Sequence, residues 1–512
     1  MSKQNQTGHD YDDRLTVLHT NVNAIKAVAS AVEGTLGPKG LDTMLVDENG
    51  QVIVTNDGVT ILEKMEASHP AAKMLIQVAR SQQNEIGDGT TTATVLASEL
   101  LTEAVNQVNR GVPVAKVIAG MKKGIDYAID LIRSKVRMIA DLSESSLRQV
   151  AYIAGREHED IAELIIDAAR LMTKEKLLNP EYKFAESIMA YEGTENELIS
   201  GLILSKKRMN IQMPKKLINA NILVIEDAFE PEDIDDEALG TEVGFRKYLE
   251  YKAEFQKNLV KIPLLGVNVI AVDRGVDPLA EEYCIDHGIM VIQRLSRQDL
   301  KRLVEHTGAK TIKRTGLHKE VEELKAYVGH AEEVLEDQML QKIRIIGGKG
   351  KPMATILVGA STGEIVEERE RIAKDAASSV QAAIRGGYVP GGGAIEFWAA
   401  REIEKLIEQV QGMEGHGLQV VATALRKPMA QIIWNAGFNP LEKLEEVKVA
   451  QNKQKKDSLG IHADTGKVID MEEVGVIDPS LVKIHALRAA GEIAEAILRI
   501  QTIIKMRSVD HD

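Results

Sequence analysis

The order of helical and strand patterns along the chain restricts its fold more than any single motif does. Apolar residues recur at helical spacing through about the first 140 residues, and helical patterns return after residue 375. Between them, short apolar runs rich in β-branched residues alternate with helical stretches, which is typical of an α/β domain. The runs are ANILVIEDA (220–228), GVNVIAVD (266–273) and GIMVIQRL (288–295). Helical first and last thirds around an α/β centre predict a discontinuous domain that both ends of the chain build.

Length and composition exclude several classes of protein. A chain of 512 residues is too long for one core and predicts two or three domains. The net charge of -14 and the 4% aromatic content argue against a nucleic-acid binder, whose affinity rests on a basic surface or on stacking. No apolar run approaches the roughly 18 to 20 residues of a membrane span, and the polar start MSKQNQTGHDYDDR lacks the apolar core of a signal peptide. We therefore expect a cytoplasmic protein that binds neither membrane nor nucleic acid.

Cysteine and histidine usage argues against disulfides and zinc. The single cysteine, Cys284, suits a reducing compartment and is more typical of a small core residue than of a nucleophile. The 12 histidines form no HExxH motif, because REHEDIAEL (156–164) resembles it only superficially. We expect neither an internal disulfide nor a zinc site.

An acidic loop and an aromatic-rich helix interrupt the middle of the chain. The loop reads EPEDIDDE (230–237), and the helix after it carries Phe245, Tyr248, Tyr251 and Phe255 in a chain with few aromatic residues. Such a helix either packs on its own domain or forms an exposed contact surface, and both alternatives stay open.

The stretch NEIGDGTTTATVLASELL (84–101) places Asp88 between two glycines, with three threonines and a helical pattern after it. Asp, Ser and Thr are ordinary helix caps, so capping alone is one explanation of the stretch. Capping does not explain three consecutive threonines, since one cap suffices and β-branched residues lower helix propensity. The positive end of a helix attracts phosphate, glycines let the backbone approach it, and an aspartate beside them suits Mg²⁺. The stretch is therefore a candidate nucleotide site.

Four further stretches carry glycine or aspartate at turns or next to helices. Three have an ordinary structural explanation: a helix stop for the first, a hairpin turn between strands at Asp57 for the second and helix capping by Asp478 for the fourth. The third, with three glycines before a helix, is a weak candidate for a nucleotide-contact loop. None is a Walker A motif or a Rossmann fingerprint. The stretches are TLGPKG (35–40), VTNDGVTIL (54–62), VPGGGA (389–394) and VIDPS (476–480).

Taken together, in this order and with ERIAKDA (370–376), these stretches strongly resemble the chaperonins over nearly the whole chain. Of the two main types, the chain is similar to group II, the thermosome and eukaryotic cytosolic chaperonin type. MPKKLINANILVIEDAFE (213–230), with the acidic loop and aromatic helix after it, matches the place where that type carries a helical protrusion, a built-in lid.

The resemblance implies a multidomain α and α/β fold and an ATP-dependent chaperone. It implies a largely helical equatorial ATP-binding domain at 1–142 and 386–512 and a small intermediate hinge domain at 143–201 and 355–385. An α/β apical domain at 202–354 would bind clients and carry the protrusion at about 230–262. Identical subunits would stack in two rings, bind unfolded proteins and close the lid on ATP hydrolysis, with no separate co-chaperonin.

The resemblance also assigns residues to ATP and Mg²⁺. Asp88 would ligate Mg²⁺, while Asp57 and Asp375 would position and deprotonate the attacking water. Asp478 would accept hydrogen bonds from the ribose hydroxyls. The other candidates would contact phosphate or line the nucleotide; they are Gly37, Pro38, Gly89, Thr90, Thr91, Thr92 and Gly392.

Two departures separate this chain from common relatives. Group II members commonly have Gly-Lys where this chain reads Gly155-Arg156, so Arg156 is a candidate nucleotide sensor with a different reach and hydration. The end IKMRSVDHD (504–512) lacks the Gly-Met-rich tail of many group I members. A bacterial lineage of group II-like chaperonins is compatible with both departures.

A small-molecule kinase or ligase and a scaffold protein are the two alternatives to an ATP-driven folding chamber. A small-molecule kinase or ligase would use the same phosphate-binding loops, but the middle of the chain shows no second catalytic cluster. A scaffold that has lost hydrolysis would need none of Asp57, Asp88 and Asp375, so their presence argues against it. The sequence therefore favours an ATPase coupled to protein folding.

Overall fold

The structure is a computed structural model that describes residues 4–50, 52–233 and 240–504. Its helices, in chain order, are α1 (Gln4–Glu33), α2 (Gly58–Lys64), α3 (Pro70–Glu85), α4 (Thr90–Asn109), α5 (Val114–Ser134), α6 (Ser145–Ala154), α7 (Glu159–Met172), α8 (Lys174–Leu178), α9 (Glu242–Leu264), α10 (Pro278–Asp286), α11 (Arg297–Thr307), α12 (Val321–Leu324), α13 (Gly363–Gly386), α14 (Ala394–Ile407), α15 (Glu414–Asn435), α16 (Pro440–Gln454) and α17 (Ser480–Leu498).

The strands are short and fall into several sheets. They are β1 (Thr43–Val46), β2 (Val52–Thr55), β3 (Ile188–Glu192), β4 (Glu197–Ile199), β5 (Gly201–Leu204), β6 (Lys216–Ile225), β7 (Val269–Val272), β8 (Met290–Ile292), β9 (Thr311–Ile312), β10 (Gly329–Asp337), β11 (Lys342–Gly348), β12 (Thr355–Ala360), β13 (Tyr388–Pro390), β14 (Leu459–Ile461), β15 (Val468–Asp470) and β16 (Ile477–Pro479).

The chain divides into two compact units. The second comprises Asp167–Thr173 and Ser187–Val366, and the first comprises Met1–Ile166, Lys174–Glu186 and Glu367–Asp512. The first unit therefore draws on both ends of the chain. The finer division into equatorial, intermediate and apical domains stays a prediction.

The first unit is a helical bundle with α4 at its centre. This helix packs against α1, α3, α15 and α17, and most of its residues are buried. The bundle core is built largely from alanine, valine, leucine and isoleucine, whose small and branched side chains let helices approach closely. Because α4 is held on so many sides, the residues at its start have a fixed position.

The second unit contains a mixed seven-stranded sheet of order β5-β11-β10-β6-β7-β8, with β9 paired to β6. Strands β6, β7 and β8 run parallel, and Ile222 of β6 pairs with Val269 of β7. The three apolar runs that predicted an α/β centre coincide with these strands, although β6 begins before its run, at Lys216, and the sheet has a buried apolar cluster on each face. Strands β3, β12 and β4 form a separate three-stranded sheet.

The aromatic-rich segment forms α9, and its two ends differ in burial. Phe245 near its start is 54% exposed, whereas Phe255 is buried and meets the Phe229 ring edge-on at a centroid distance of 5.5 Å. The part of the helix around Phe255 thus packs on its own unit, while the start of the helix is exposed. Residues 234–239 of the acidic loop lie outside the described residues.

Two local expectations were wrong. Asn56-Asp57-Gly58 is not a hairpin turn: β1 and β2 are joined at residues 47–50, and Asp57 instead caps α2. The helical spacing of apolar residues from Leu481 to Ile504 predicts a buried core helix over that range, but α17 ends at Leu498 and Ile504 is 82% exposed. Both errors arise because a short local pattern is compatible with more than one tertiary structure. Asn-Asp-Gly occurs in turns and at helix starts, and apolar spacing does not show where the core ends.

Two other observations concern cysteine chemistry and membrane spans, which the composition argues against. Cys284 is buried, and burial raises the pKa of its thiol to about 12, so the group stays protonated at neutral pH as a core residue would. Among the described residues, no helix combines the length and hydropathy that crossing a membrane requires.

Candidate functional site

The start of α4 carries the glycine and threonine stretch. Gly89 precedes the helix with a left-handed backbone (φ 80°), and no side chain caps the helix there. A non-glycine residue rarely adopts this conformation, which explains a glycine at this position. Thr90 and Thr92 are buried, and the first-turn N–H groups are presented without a side-chain acceptor. Capping therefore does not explain the stretch.

Asp88 lies between this helix start and α13. Its Oδ2 accepts a hydrogen bond from the Ser379 hydroxyl, and its Oδ1 accepts one from the Gly89 amide at 2.5 Å. Burial raises the pKa of Asp88, and the hydrogen bond from Ser379 opposes that rise. Ser379 was missed in the sequence, because nothing local connects a serine to an aspartate 291 residues away.

The donors around Asp88 fit Mg²⁺ better than a transition metal. Mg²⁺ is commonly held by one or two carboxylates together with phosphate oxygens. Within the described ranges, no group of three or more His, Cys, Asp and Glu side chains is placed to hold a metal ion by itself. One buried carboxylate beside an uncapped helix start agrees with a metal that needs a nucleotide for its other ligands.

Two loops approach the threonines. A Cβ on Gly58 would lie 2.4 Å from the Thr91 hydroxyl oxygen, so only a glycine lets the Asn56–Gly58 loop come this close. The Thr35 hydroxyl at the start of TLGPKG lies 3.5 Å from the same oxygen. Gly37 (φ 86°) and Pro38 follow in an exposed turn, and Gly37 packs on Ile432.

Asp57 and Asp375 meet at one arginine. Asp57 is 8% exposed, and its Oδ2 accepts hydrogen bonds from the amide and hydroxyl of Thr60, at 2.9 and 2.6 Å. Its Oδ1 lies 4.0 Å from Nη1 of Arg371, and the same Nη1 donates to Oδ2 of Asp375 at 2.9 Å. The structure therefore brings both predicted catalytic carboxylates to one cation, and it adds Arg371 to the site.

The environment of Asp375 disfavours its charge. Burial raises the pKa of Asp375 well above its usual range. The positive charge of Arg371 opposes this rise, while the negative charges of Asp88 and Asp57 add to it. A carboxylate with a raised pKa is a better proton acceptor than an exposed one.

Arg156 belongs to the same cluster. It lies in the loop between α6 and α7, where Arg156 and Glu157 both have left-handed backbones (φ 53° and 62°). Its Nη1 donates to Oε1 of Glu368 at 3.1 Å, and burial together with the charge of Arg371 lowers its pKa. The candidate sensor is thus connected to Arg371 through Glu368.

Asp478 lies beside the triple glycine, in β16, which pairs with β13. A Cβ on Gly391 would lie 3.1 Å from the Asp478 carboxylate, and Gly392 has a left-handed backbone (φ 62°). Asp478 does not cap the following helix: Pro479 is the N-cap residue of α17, and no side chain caps it. The capping explanation is therefore wrong for Asp478.

A buried lysine holds Asp478 instead. Lys483 Nζ lies 2.7 Å from Oδ2 of Asp478 and 2.8 Å from Oε1 of Glu396. Burial by itself would lower the pKa of Lys483, but the two negative charges outweigh it and raise that pKa. The charge of Asp478 also raises the pKa of Asp88, which indicates that the two ends of the site lie near each other.

The chain is similar to known proteins over nearly all of its length. The profile of the TCP-1/cpn60 chaperonin family matches residues 28–508. Thermosome subunit beta of Archaeoglobus fulgidus is 34% identical, over 96% of this chain and 92% of that protein. The thermosome subunit of Methanocaldococcus jannaschii is also 34% identical, over 96% and 93%.

A solved structure has the same fold. It is described as a group III chaperonin in the open state, is 44% identical to this chain and superposes with a TM-score of 0.86. The alignment covers 96% of this chain and 100% of that one. The predicted chaperonin-like multidomain fold is confirmed.

Proposed function

This chain belongs to the TCP-1/cpn60 chaperonin family, and we propose that it is an ATP-hydrolysing chaperonin subunit whose hydrolytic site lies in its first unit. The observation that carries the proposal is the convergence of Asp57 and Asp375 on one largely enclosed arginine, Arg371, with Ser379 holding Asp88 one helical turn after Asp375. Three carboxylates gathered at an uncapped helix start suit the hydrolysis of a phosphoanhydride.

The phosphates of ATP bind at the start of α4. The N–H groups of Thr90 and Thr91 are donors at the positive end of the helix, and the threonine hydroxyls add further donors. Gly89, whose own N–H is bonded to Asp88, lets the backbone come close to the phosphates. Thr92 belongs to the same turn. Gly58 keeps the neighbouring loop close without filling the space with a side chain.

Asp88 is the protein ligand for Mg²⁺. When bound, Mg²⁺ neutralises phosphate charge and makes the terminal phosphorus more open to attack. Ser379 and the Gly89 amide orient the Asp88 carboxylate before any metal is present. This orientation lowers the cost of bringing the carboxylate to the metal.

Asp375 and Asp57 act on the attacking water. Oδ2 of Asp375 is bonded to Arg371, and we assign its Oδ1 as the acceptor of the water proton. Asp57 holds the same water through Oδ1, because its Oδ2 is already bonded to Thr60. The raised pKa of Asp375 suits a proton acceptor that returns its proton to solvent after each turnover.

The other end of the nucleotide binds at the triple glycine. Gly391 and Gly392 leave room beside Asp478, whose carboxylate accepts hydrogen bonds from the ribose hydroxyls. Gly37 and Pro38 cover the nucleotide from the turn after α1. Arg156 responds to the γ-phosphate from the loop between α6 and α7.

Hydrolysis drives protein folding in a cytoplasmic double ring of identical subunits. Clients bind the second unit, and the segment at about 230–262 closes the chamber without a separate co-chaperonin, since exposed apolar side chains at the start of α9 provide a contact surface. Those side chains are Val243, Phe245 and Leu249, each more than half exposed.

The native mass measured by light scattering, with and without ATP and Mg²⁺, tests the chamber. Two eight-membered rings of 56.2 kDa subunits weigh on the order of 0.9 MDa, as closed symmetric assemblies require. A stable monomer or dimer under every condition would contradict it.

The hydrolytic site is tested separately. Asp57→Ala and Asp375→Ala should each abolish ATP turnover in a phosphate-release assay while leaving ATP binding nearly unchanged. Turnover equal to that of the unsubstituted protein would remove these residues from the mechanism.

A further inference from the structure

Arg371 has all of its side-chain nitrogens engaged at the centre of the site. Nε donates to Oε2 of Glu368 at 3.1 Å, and Nη2 donates to Oε1 of Glu368 at 2.6 Å and to Oδ1 of Asn56 at 3.1 Å. Nη1 donates to Asp375 at 2.9 Å and lies 4.0 Å from Asp57. One planar group therefore contacts the loop after β2 and two turns of α13.

The surroundings of Arg371 make this position costly to disturb. Its side chain is 16% exposed, and those of Asp57 and Asp375 are 10% and 17% exposed. Two carboxylates so poorly hydrated repel each other unless a cation lies between them. The guanidinium supplies that cation. It fixes the direction of the Asp375 carboxylate by a hydrogen bond and attracts Asp57, whose orientation Thr60 sets, as an ion pair at 4.0 Å.

We propose that Arg371 is a positioning residue for ATP hydrolysis: its guanidinium, fixed by Glu368, holds the Asp57 and Asp375 carboxylates at the separation at which both reach one water. This inference rests on the proposed function of the site. Arg371 itself touches neither nucleotide nor water in this mechanism, so its removal changes the chemical step more than it changes binding.

The geometry calls for arginine in particular. A guanidinium is planar and presents five N–H donors in fixed directions, whereas an ammonium is a compact charge on a flexible stem. Glu368 takes two of those donors side by side, which sets the plane of the group. The outer edge of the plane then faces Asn56 and the two catalytic carboxylates.

Arg369 offers a matched control on the same helix. Its side chain is 20% exposed and is ion-paired, through Nη2, to Asp160 at 2.6 Å. Its ion pair is with Asp160, whereas Arg371 pairs with Asp375 and Asp57. An effect common to Arg369→Gln and Arg371→Gln is therefore due to losing a partly buried arginine from α13, and only the difference between them reports positioning.

The experiment compares Arg371→Gln, Arg371→Lys and Arg369→Gln in the full-length protein. It measures single-turnover ATP hydrolysis with Mg²⁺, ADP affinity by equilibrium dialysis and native mass. We expect Arg371→Gln to slow the chemical step by about 100-fold with ADP affinity kept within about threefold, since a misplacement near 1 Å has that effect. Arg371→Lys should recover part of the loss, because it restores the charge but not the fork. Arg369→Gln should stay near the unsubstituted rate.

Two results would overturn the inference: an Arg371→Gln rate equal to that of Arg369→Gln, or equal losses of rate and ADP affinity in Arg371→Gln. If Arg371→Gln does not assemble, Arg371→Lys decides, and a fully active lysine variant contradicts the need for the fork. An unsubstituted protein that hydrolyses no ATP would instead contradict the proposed function.

Discussion

Two clusters of buried charge in the first unit solve the same problem differently. At the triple glycine, Lys483 is 8% exposed and pairs with Glu396, which is 2% exposed, and with Asp478. At Asp57 and Asp375, Arg371 is 16% exposed, but Glu368 and Arg156 are about one-third exposed, at 32% and 31%. The first cluster is sealed from water at its Lys483–Glu396 pair, with Asp478 22% exposed beside it, and the second is partly open.

The difference concerns how many arrangements each cluster allows. A buried ion pair keeps one geometry, because separating its charges in a poorly hydrated environment is costly. The arginine cluster connects three segments: the loop after β2, the loop after α6, and helix α13 itself. Within it, Glu368 accepts hydrogen bonds from the guanidinium groups of both Arg156 and Arg371. The lysine cluster therefore fixes the position of Asp478, while the arginine cluster is suited to the rearrangements that the proposed ATPase cycle requires.

The largest expected effect tests the sealed cluster. Lys483→Met should lower the free energy of unfolding of the first unit by about 3 to 5 kcal/mol, because it leaves the buried Glu396 carboxylate and the partly buried Asp478 carboxylate without their cation. Urea titration followed by circular dichroism measures the change.

Lys456→Met is the control for this substitution. Lys456 also pairs with two carboxylates, Asp470 at 2.8 Å and Glu473 at 3.0 Å, but it is 44% exposed. Water screens such a pair, so its loss should leave the urea midpoint nearly unchanged. Equal effects of the two substitutions would show that burial does not distinguish the clusters.

A smaller effect is expected when the support of Arg371 is weakened. Glu368→Gln keeps one acceptor but loses the paired contact with the guanidinium, so we expect ATP turnover to fall by about tenfold. Glu370→Gln, on the same helix and paired with Lys374, is the control and should retain turnover. Unchanged turnover in Glu368→Gln would show that Arg371 is held well enough without it.

The acidic limb of the pH profile sharpens the comparison further. Hydrolysis needs Asp375 ionised, so turnover falls as pH drops through its pKa. Burial raises that pKa, Arg371 and Arg156 lower it, and Asp88 and Asp57 raise it. Arg371→Gln removes a positive charge, so its acidic limb should move to higher pH, whereas Arg371→Lys should stay closer to the unsubstituted protein. Single-turnover rates across pH measure this, and a limb that does not move in Arg371→Gln would contradict the assignment of Asp375 as the base.

The smallest effect is expected at the edge of the open cluster. Arg156→Lys keeps the charge near Glu368 but offers one donor direction at a time, and we expect turnover within about threefold of the unsubstituted protein. The matched measurement is the ATP concentration at half-maximal turnover. A loss as large as that of Arg371→Gln would place Arg156 inside the hydrolytic site.

Sequence patterns predicted the large features of the fold. The three apolar runs overlap β6, β7 and β8, and the glycine and threonine stretch does open a helix. The order of short motifs identified the family. Predictions from single motifs failed where one local pattern is compatible with two structures, as at Asn56-Asp57-Gly58 and at Asp478.

The sequence also contains a local signal for the contact between Arg371 and Asp375. Arg371 and Asp375 are four residues apart on a helical pattern, where opposite charges meet. No comparable signal existed for Lys483 with Glu396, or for Ser379 with Asp88, because these pairs come from distant parts of the chain.

The sequence by itself determined the family, the alternation of helices and strands, and the residue types able to bind phosphate, because these depend on local spacing and composition. Only the tertiary structure decided that Asp57 caps α2, that Asp478 pairs with a lysine and that two aspartates meet at Arg371. The physical reason is that burial determines how strongly a charge interacts with its neighbours, and the packing of the chain determines which neighbours it has. Both are properties of the packed fold.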